Sequence, residues 1–228
     1  MSDPNPVETM EVQPEEIVDV FDLDHTLLDT ERRWFRPALE WLAAYTKLQN
    51  SVVDERFAEC NRTTFTFEKL FVALDIAQRY SDRIEVQLRG TLSIRANGCL
   101  YPRVVEMLED RSSVARLVLV TAGDEAWQRW KFEQLTRLHP YFRVGDRHFV
   151  PLDGSKADRV ALYRGASRVS FVDDSPRWLD EVRGRFPMVR LVRPVWASDG
   201  VVEDHSGDGK HWDVACSAPE INAILSRP

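Results

Sequence analysis

The chain has 228 residues, 43% hydrophobic and 29% charged, with a formal net charge of −7. That is enough apolar material for one core domain, or one core domain carrying an insertion, and the acidic balance argues against an electrostatic nucleic-acid binder. No stretch approaches the roughly 18 apolar residues of a membrane span, and Cys60, Cys99 and Cys216 form neither a disulfide framework nor a CxxC pair, so a soluble protein of a reducing, cytoplasmic compartment is expected.

Residues 1–16 are acidic and carry Pro4, Pro6 and Pro14, which predicts a short disordered leader without the basic and apolar regions of a signal peptide. Ile17 to Leu23 is a mainly apolar run rich in β-branched and aromatic residues. It predicts a strand buried on both faces, as in a parallel sheet, ending in Asp22-Leu23-Asp24-His25-Thr26. From 30 to 110 apolar residues recur at helical spacing (Trp34, Leu39, Leu42, then Phe67, Leu70, Leu74), which predicts several helices, the last over Val104 to Leu108. A β/α rhythm follows. Arg116 to Val120 reads as a buried strand leading into Thr121-Ala122-Gly123-Asp124, and the next helix carries Trp127, Trp130, Leu135 and Leu138. His148 to Leu152 reads as a short strand, with Lys156 opening the helix behind it. Arg168 to Val172 is another strand, leading into Asp173-Asp174-Ser175-Pro176, where Ser175 suits an N-cap and Pro176 a first helical residue. Trp178, Val182 and Phe186 line one face of that helix. Val189 to Val192 is the last strand expected, then a Gly/Asp/His-rich loop over 198–210. Ser217 to Glu220 has capping-box spacing and starts a terminal helix.

Strands alternating with helices imply a Rossmann-like parallel sheet flanked by helices, an α/β fold. The helical stretch is too long for a simple crossover and reads as an inserted α-helical cap over 30–110, leaving 17–29 and 111–228 as the catalytic core. In an open parallel sheet, ligands bind outside the carboxyl ends of the strands. Asp22, Asp24, Thr121, Lys156, Asp173 and Asp174 all follow predicted strands, so they converge on that rim. Such a set suits phosphoryl transfer, which needs a nucleophile, a metal ion and donors for the phosphate oxygens. Carboxylates and Mg2+ are hard partners. An aspartate can attack phosphorus itself, and a second carboxylate can move the proton of the leaving oxygen. Lys156 would offset carboxylate–phosphate repulsion, and Thr121 supplies a hydroxyl and a backbone donor. Lys131 competes for the lysine role, but it sits mid-helix beside Trp130, so Lys156 is preferred.

Asp22-Leu23-Asp24-His25-Thr26 after an apolar strand resembles the DxDxT signature of the haloacid dehalogenase-like (HAD) hydrolase superfamily. Val118 to Asp124 is similar to its second motif, Lys156 to its third, and Phe171 to Ser175 to its acidic fourth, in the family's order over residues 17–192. The resemblance implies a phosphatase branch with a small mobile cap, acting on a small phosphorylated substrate through an aspartyl-phosphate. It implies Asp22 as nucleophile and metal ligand, and Asp24 as general acid/base whose carbonyl also meets the metal. Thr121, with Ala122 beside it, and Lys156 would hold the phosphate. Asp174 would be the main fourth-motif ligand, with Asp173 as its neighbour or alternate. Many members place a further acidic residue four or five positions on, where this chain has Trp178 and Leu179. A phosphomutase of the same family and a non-catalytic binding protein remain alternatives. A dehalogenase is disfavoured, because its members need no acid at the position of Asp24. A response-regulator receiver would be shorter and uncapped. His25, Trp34, Arg32, Arg33 and Arg103 are possible substrate contacts. His205 and His211 with Asp204, Asp208 and Asp213 lack the tight spacing of a zinc site.

Overall fold

In a computed structural model describing residues 12–62, 64–196 and 212–228, six strands form one parallel sheet: β1 (Ile17–Phe21), β2 (Arg116–Ala122), β3 (Arg147–Val150), β4 (Arg168–Val172), β5 (Arg190–Pro194) and β6 (Asp213–Ala215). Their order is β3-β2-β1-β4-β5-β6. The order reverses at β1, which pairs with β2 on one side and β4 on the other. Chain reversal at a central strand leaves a crevice between crossovers that run to opposite faces, the usual place for a ligand in such a sheet.

Alternation along the strands explains the two core layers. Val18, Val20, Val118, Val120 and Phe171 face one side, and Phe21, Leu117, Leu119, Val172 and Val192 face the other. The first side is covered by α7 (Lys156–Val160) and α8 (Pro176–Arg185), through Val160, Leu179 and Val182. Against the second pack α5 (Val104–Ser112), α6 (Glu125–Gln134) and α9 (Ala218–Leu225). Between β1 and α5 the regular elements among the described residues are helical: a π-helical turn over Thr30–Phe35, then α1 (Arg36–Thr46), α2 (Asn50–Asn61), α3 (Phe67–Ala73) and α4 (Gln78–Arg95). The last ends in a short 3-10 turn over Ala96–Cys99.

Several boundaries differ from the sequence reading. The first strand stops at Phe21 rather than Leu23, because the Leu23 carbonyl turns to accept from the amides of Leu27 and Leu28. The third strand begins at Arg147 and ends before Pro151, whose carbonyl closes a turn onto Gly154. A sixth strand, absent from the expectation, pairs Asp213 with Val192. At three residues it is too short to show a period. Phe186 caps α8 rather than lying within it. Of the leader expected over 1–16, residues 1–11 lie outside the described residues, whereas the Glu16 carbonyl accepts from the Ser167 amide at 2.9 Å and Val12 packs on the core. The loop expected over 198–210, with His205, and also His211, lies outside the described residues. Asp213 is in β6, paired with Arg227 at 3.1 Å.

One buried ion pair ties the sheet to the helices beneath it. Asp19, in the middle of β1, is fully buried, and its Oδ2 meets Arg111 Nη2 of α5 at 2.7 Å. Arg111 also donates to Ser226 Oγ at the end of α9. Burial pushes the Asp19 carboxyl up despite Arg111. Removing one partner leaves a buried, uncompensated charge, so Arg111→Met is expected to cost about 3–5 kcal/mol in urea unfolding. Combining it with Asp19→Leu is expected to recover most of that loss.

Candidate active site

Phe21 lies opposite Val172 in the β1–β4 register, so the next residues of both strands, Asp22 and Asp173, emerge side by side at the same rim. The ladder continues one step further, with the Asp22 amide donating to the Val172 carbonyl and the Asp173 amide to the Val192 carbonyl. Asp22 is 4% exposed and Asp173 fully buried. Carboxylate oxygens of Asp22, Asp173 and Asp174 all lie within 4.8 Å of one another. Buried like charges at that separation need a counter-charge.

Lys156 supplies part of it. As the first residue of α7 it follows the Ser155 N-cap, whose hydroxyl accepts from the Asp158 amide. Its ammonium reaches back to Asp22 Oδ1 at 2.6 Å and Asp173 Oδ2 at 2.7 Å. Burial opposes a charged lysine, but Asp173 and Asp22 more than offset it and raise the Lys156 pKa. Trp178 lies with its ring centre 5.4 Å from the ammonium, and Leu179 is fully buried. Where the family resemblance leads one to expect an acidic residue, this chain thus places two apolar side chains, one of them against the lysine.

The two fourth-motif carboxylates are used differently. Asp173 spends one oxygen on Lys156 and the other on the Ser175 amide at 2.9 Å. Asp174 is only partly buried and lines a cavity of about 330 Å3. The Thr26 hydroxyl accepts from its amide at 3.1 Å. Burial, reinforced by Asp22, pushes the Asp174 carboxyl up to about 7, and burial raises Asp173 well above the ordinary range despite Lys156. A cluster of hard oxygen donors with surplus negative charge fits a divalent cation such as Mg2+. Asp22 and Asp174, the least committed carboxylates, are the residues that could hold it.

Asp24 stands two residues on. Its Oδ1 accepts from Thr30 Oγ1 at 2.6 Å. Its Oδ2 accepts from Gln128 Nε2 at 3.2 Å and forms an ion pair with Lys131. Burial alone would raise its pKa, but Lys131 dominates with its charge and hydrogen bond, and lowers it to about 2. Thr121, 1% exposed, directs its hydroxyl at Gln128 Oε1, and the Ala122 carbonyl accepts from Gln128 Nε2 at 3.0 Å. Gly123 has φ +149°, and a Cβ there would lie 2.7 Å from Gln128 Nε2. The conformation therefore favours glycine, and a larger residue would also have to displace the Gln128 side chain.

The structure brings together all the residues selected from sequence: Asp22, Asp24, Thr121, Ala122, Lys156, Asp173 and Asp174. It adds two. Gln128 had no motif to mark it, and Lys131 was set aside as a mid-helix residue, although it is 1% exposed and bound to Asp24. Their spacing of three residues on α6 puts both on one stripe, the signal available beforehand. Trp34 does not line either site cavity. It is fully buried, stacked on Trp127 and Trp130, with its indole N–H on the Leu92 carbonyl. His25 and Arg32 do line the larger cavity. The Arg33 guanidinium instead donates to the Leu100 carbonyl, and Arg103 is the left-handed residue before α5.

No protein-family model and no curated protein sequence matches this chain. Solved structures do match its fold. A haloacid dehalogenase-like hydrolase from Burkholderia xenovorans is 17% identical with a TM-score of 0.70, covering 94% of this chain and 100% of its own. A β-phosphoglucomutase from Thermotoga maritima is 23% identical with a TM-score of 0.60, covering 92% and 98%. The HAD-hydrolase YfnB of Bacillus subtilis, solved bound to magnesium, is 12% identical with a TM-score of 0.57, covering 93% and 100%. The protein therefore has the HAD-like hydrolase fold, which is shared by hydrolases and a phosphomutase.

The raised Asp174 carboxyl has a measurable consequence. A folded-state value near 7 against 3.8 in the unfolded chain means the folded protein binds an extra proton between those values. Stability from this group is accordingly lost as pH rises through that window without cation. A bound cation displaces the proton, so Mg2+ affinity in calorimetric titrations is expected to rise up to pH about 7 and level off above it. Affinity independent of pH would show that Asp174 is already ionised.

Proposed function

We propose that the protein is a magnesium-dependent phosphohydrolase of small phosphorylated molecules, working through an aspartyl-phosphate on Asp22. The observation that carries this reading is the Asp22 carboxylate at the crossover point of the sheet, with one oxygen on Lys156 and the Asp174 carboxylate beside it. Asp22 Oδ2, the oxygen not bound to Lys156, is the attacking atom. Asp22, Asp174 and the Asp24 carbonyl would hold Mg2+. Bound there, the ion supplies positive charge that lets a carboxylate and a phosphate meet.

The protein's own groups supply the rest. Lys156 stays charged in its dry pocket and offsets the charge carried by the equatorial phosphate oxygens. The Thr121 hydroxyl, whose contact with Gln128 is long at 3.4 Å, is available to a phosphate oxygen, and the backbone amide at Ala122 adds a second donor. Asp24 is an ionised carboxylate at rest. It takes a proton from the incoming phosphate monoanion and passes it to the leaving oxygen, then takes one from the water that attacks the aspartyl-phosphate, restoring Asp22, and releases it with the product phosphate. A proton-transfer residue at this position favours an oxygen leaving group over a halide, which departs unprotonated.

Helices of the 30–110 insertion act as the cap. Support comes from the second site cavity, of about 170 Å3, where Phe35, Asn61, Thr64 and Phe65 of the insertion face Asp24, Gly123 and Lys131 of the core. Its size suits a small leaving group, and its walls place substrate choice in the insertion.

Magnesium-dependent release of nitrophenol from para-nitrophenyl phosphate, abolished by chelator, tests the reading. Asp22→Asn is expected to lose several orders of magnitude in kcat, and Lys156→Met about 10²–10³-fold. Activity retained in Asp22→Asn would exclude Asp22 as the nucleophile. A folded wild type that releases nothing from this ester or from a panel of phosphorylated metabolites would move the assignment to a phosphomutase or a binding protein.

A further inference from the structure

We propose that Lys131 is a positioning residue for this reaction: together with Gln128 and Thr30 it fixes the Asp24 carboxylate at the cavity that receives the leaving group. The inference rests on the phosphohydrolase reading above and assigns a task to a lysine that no motif includes.

A lysine ammonium in a protein interior needs a partner, because desolvating it alone is costly. Lys131 is 1% exposed, and the ion pair it makes among the described residues is with Asp24. Gln128, three residues earlier on the same stripe of α6, donates to the same Asp24 oxygen. Thr30, from the π-helical turn that opens the insertion, donates to the other. Three donors from two separate elements thus hold two oxygens, which removes the rotational freedom that a carboxylate in a loop would have.

The support behind the lysine is rigid. Asp124 caps α6 by accepting from the Trp127 amide at 2.8 Å. On the adjacent stripe, Trp127 and Trp130 pack into the aromatic cluster of the insertion: Trp34 stacks on both, and Phe65 and Phe67 meet Trp127 edge-on. The Lys131 ammonium itself lies 5.8 Å from the centre of the Trp34 ring. Lys156 is committed to Asp22 and Asp173, so each lysine serves a different carboxylate: Lys156 the nucleophile, Lys131 the proton carrier. Misplacing a reacting group by about 1 Å can cost about 10²-fold in rate.

A positioning role for Asp24 has a signature that general damage lacks. The value of kcat/KM reports the steps up to transfer of the phosphoryl group to Asp22, where a poor leaving group needs a proton and a good one does not. For Lys131→Met, kcat/KM is expected to fall about 10²-fold on phenyl phosphate but less than about 10-fold on para-nitrophenyl phosphate, with Lys131→Arg recovering part of the loss. Inhibition by inorganic phosphate is expected to be unchanged, since the proposed phosphate donors are Thr121, Ala122 and Lys156, and Lys131 is paired with Asp24. In an Asp24→Asn background, which removes the unpaired charge and guards against misfolding, adding Lys131→Met is expected to cost nothing further. Equal losses on both esters, no loss on either, weakened phosphate inhibition, or an additive loss in the Asp24→Asn background would each overturn the inference alone. A folded wild type that hydrolyses neither ester nor any of a panel of phosphorylated metabolites would overturn the phosphohydrolase reading and this inference with it.

Discussion

Crowding of carboxylates at one end of the sheet is the constraint around which the molecule is arranged. Two ionised groups within 4.8 Å of one another repel by at least about 3 kcal/mol at the effective dielectric of a protein surface, and by more when drier. The rim carries Asp22, Asp173, Asp174 and Asp24, and two mostly buried lysines answer them. Lys156 reaches the first pair from α7, which explains why a short strand and a short helix are placed there: together they deliver one ammonium to the centre of the site. Lys131 answers Asp24 from the opposite side. The charge left over collects at Asp174, the carboxylate that opens on the larger cavity, where a hard cation fits.

Helix α6 couples the site to the insertion. One stripe carries Gln128 and Lys131 to Asp24, and the next carries Trp127 and Trp130 into the aromatic cluster. Arg89 of α4 lies over both tryptophans, 5.4 Å and 4.6 Å from their ring centres. Asn97, after α4, holds the residues following α6 through the Thr136 hydroxyl and the Arg137 amide. The insertion is thereby packed against the same helix that holds the Asp24 carboxylate. Close-packed aromatic surfaces resist small displacements, which gives the smaller cavity fixed walls.

Much of the fold was legible because the strands that matter are buried on both faces. Ile17 to Leu23, Arg116 to Val120 and Arg168 to Val172 read as mainly apolar runs, and polar residues crowd the carboxyl end of each. The edge was not legible. Among the described residues Asp213 to Ala215 pairs on one side only, and it is too short to carry a period. The helical insertion was visible as a change of period, whereas the burial of Trp34 against two other tryptophans depends on a contact across nearly a hundred residues of chain.

The sequence by itself determined which groups stand at the tips of the strands, because a parallel sheet sends every strand's carboxyl end to one rim, and so Asp22, Asp24, Thr121, Lys156, Asp173 and Asp174 were bound to meet. Tertiary structure alone decided how their charges are shared. Whether a lysine in the middle of a helix is a solvated surface group or the partner of a buried carboxylate depends on which stripe faces the site. Rotation of α6 about its axis is set by Trp127 and Trp130 against Trp34, Phe65 and Phe67. Those contacts lie far apart in the chain and leave no local pattern, so the division of labour between Lys131 and Lys156, and between Asp173 and Asp174, appears only once the helices are packed.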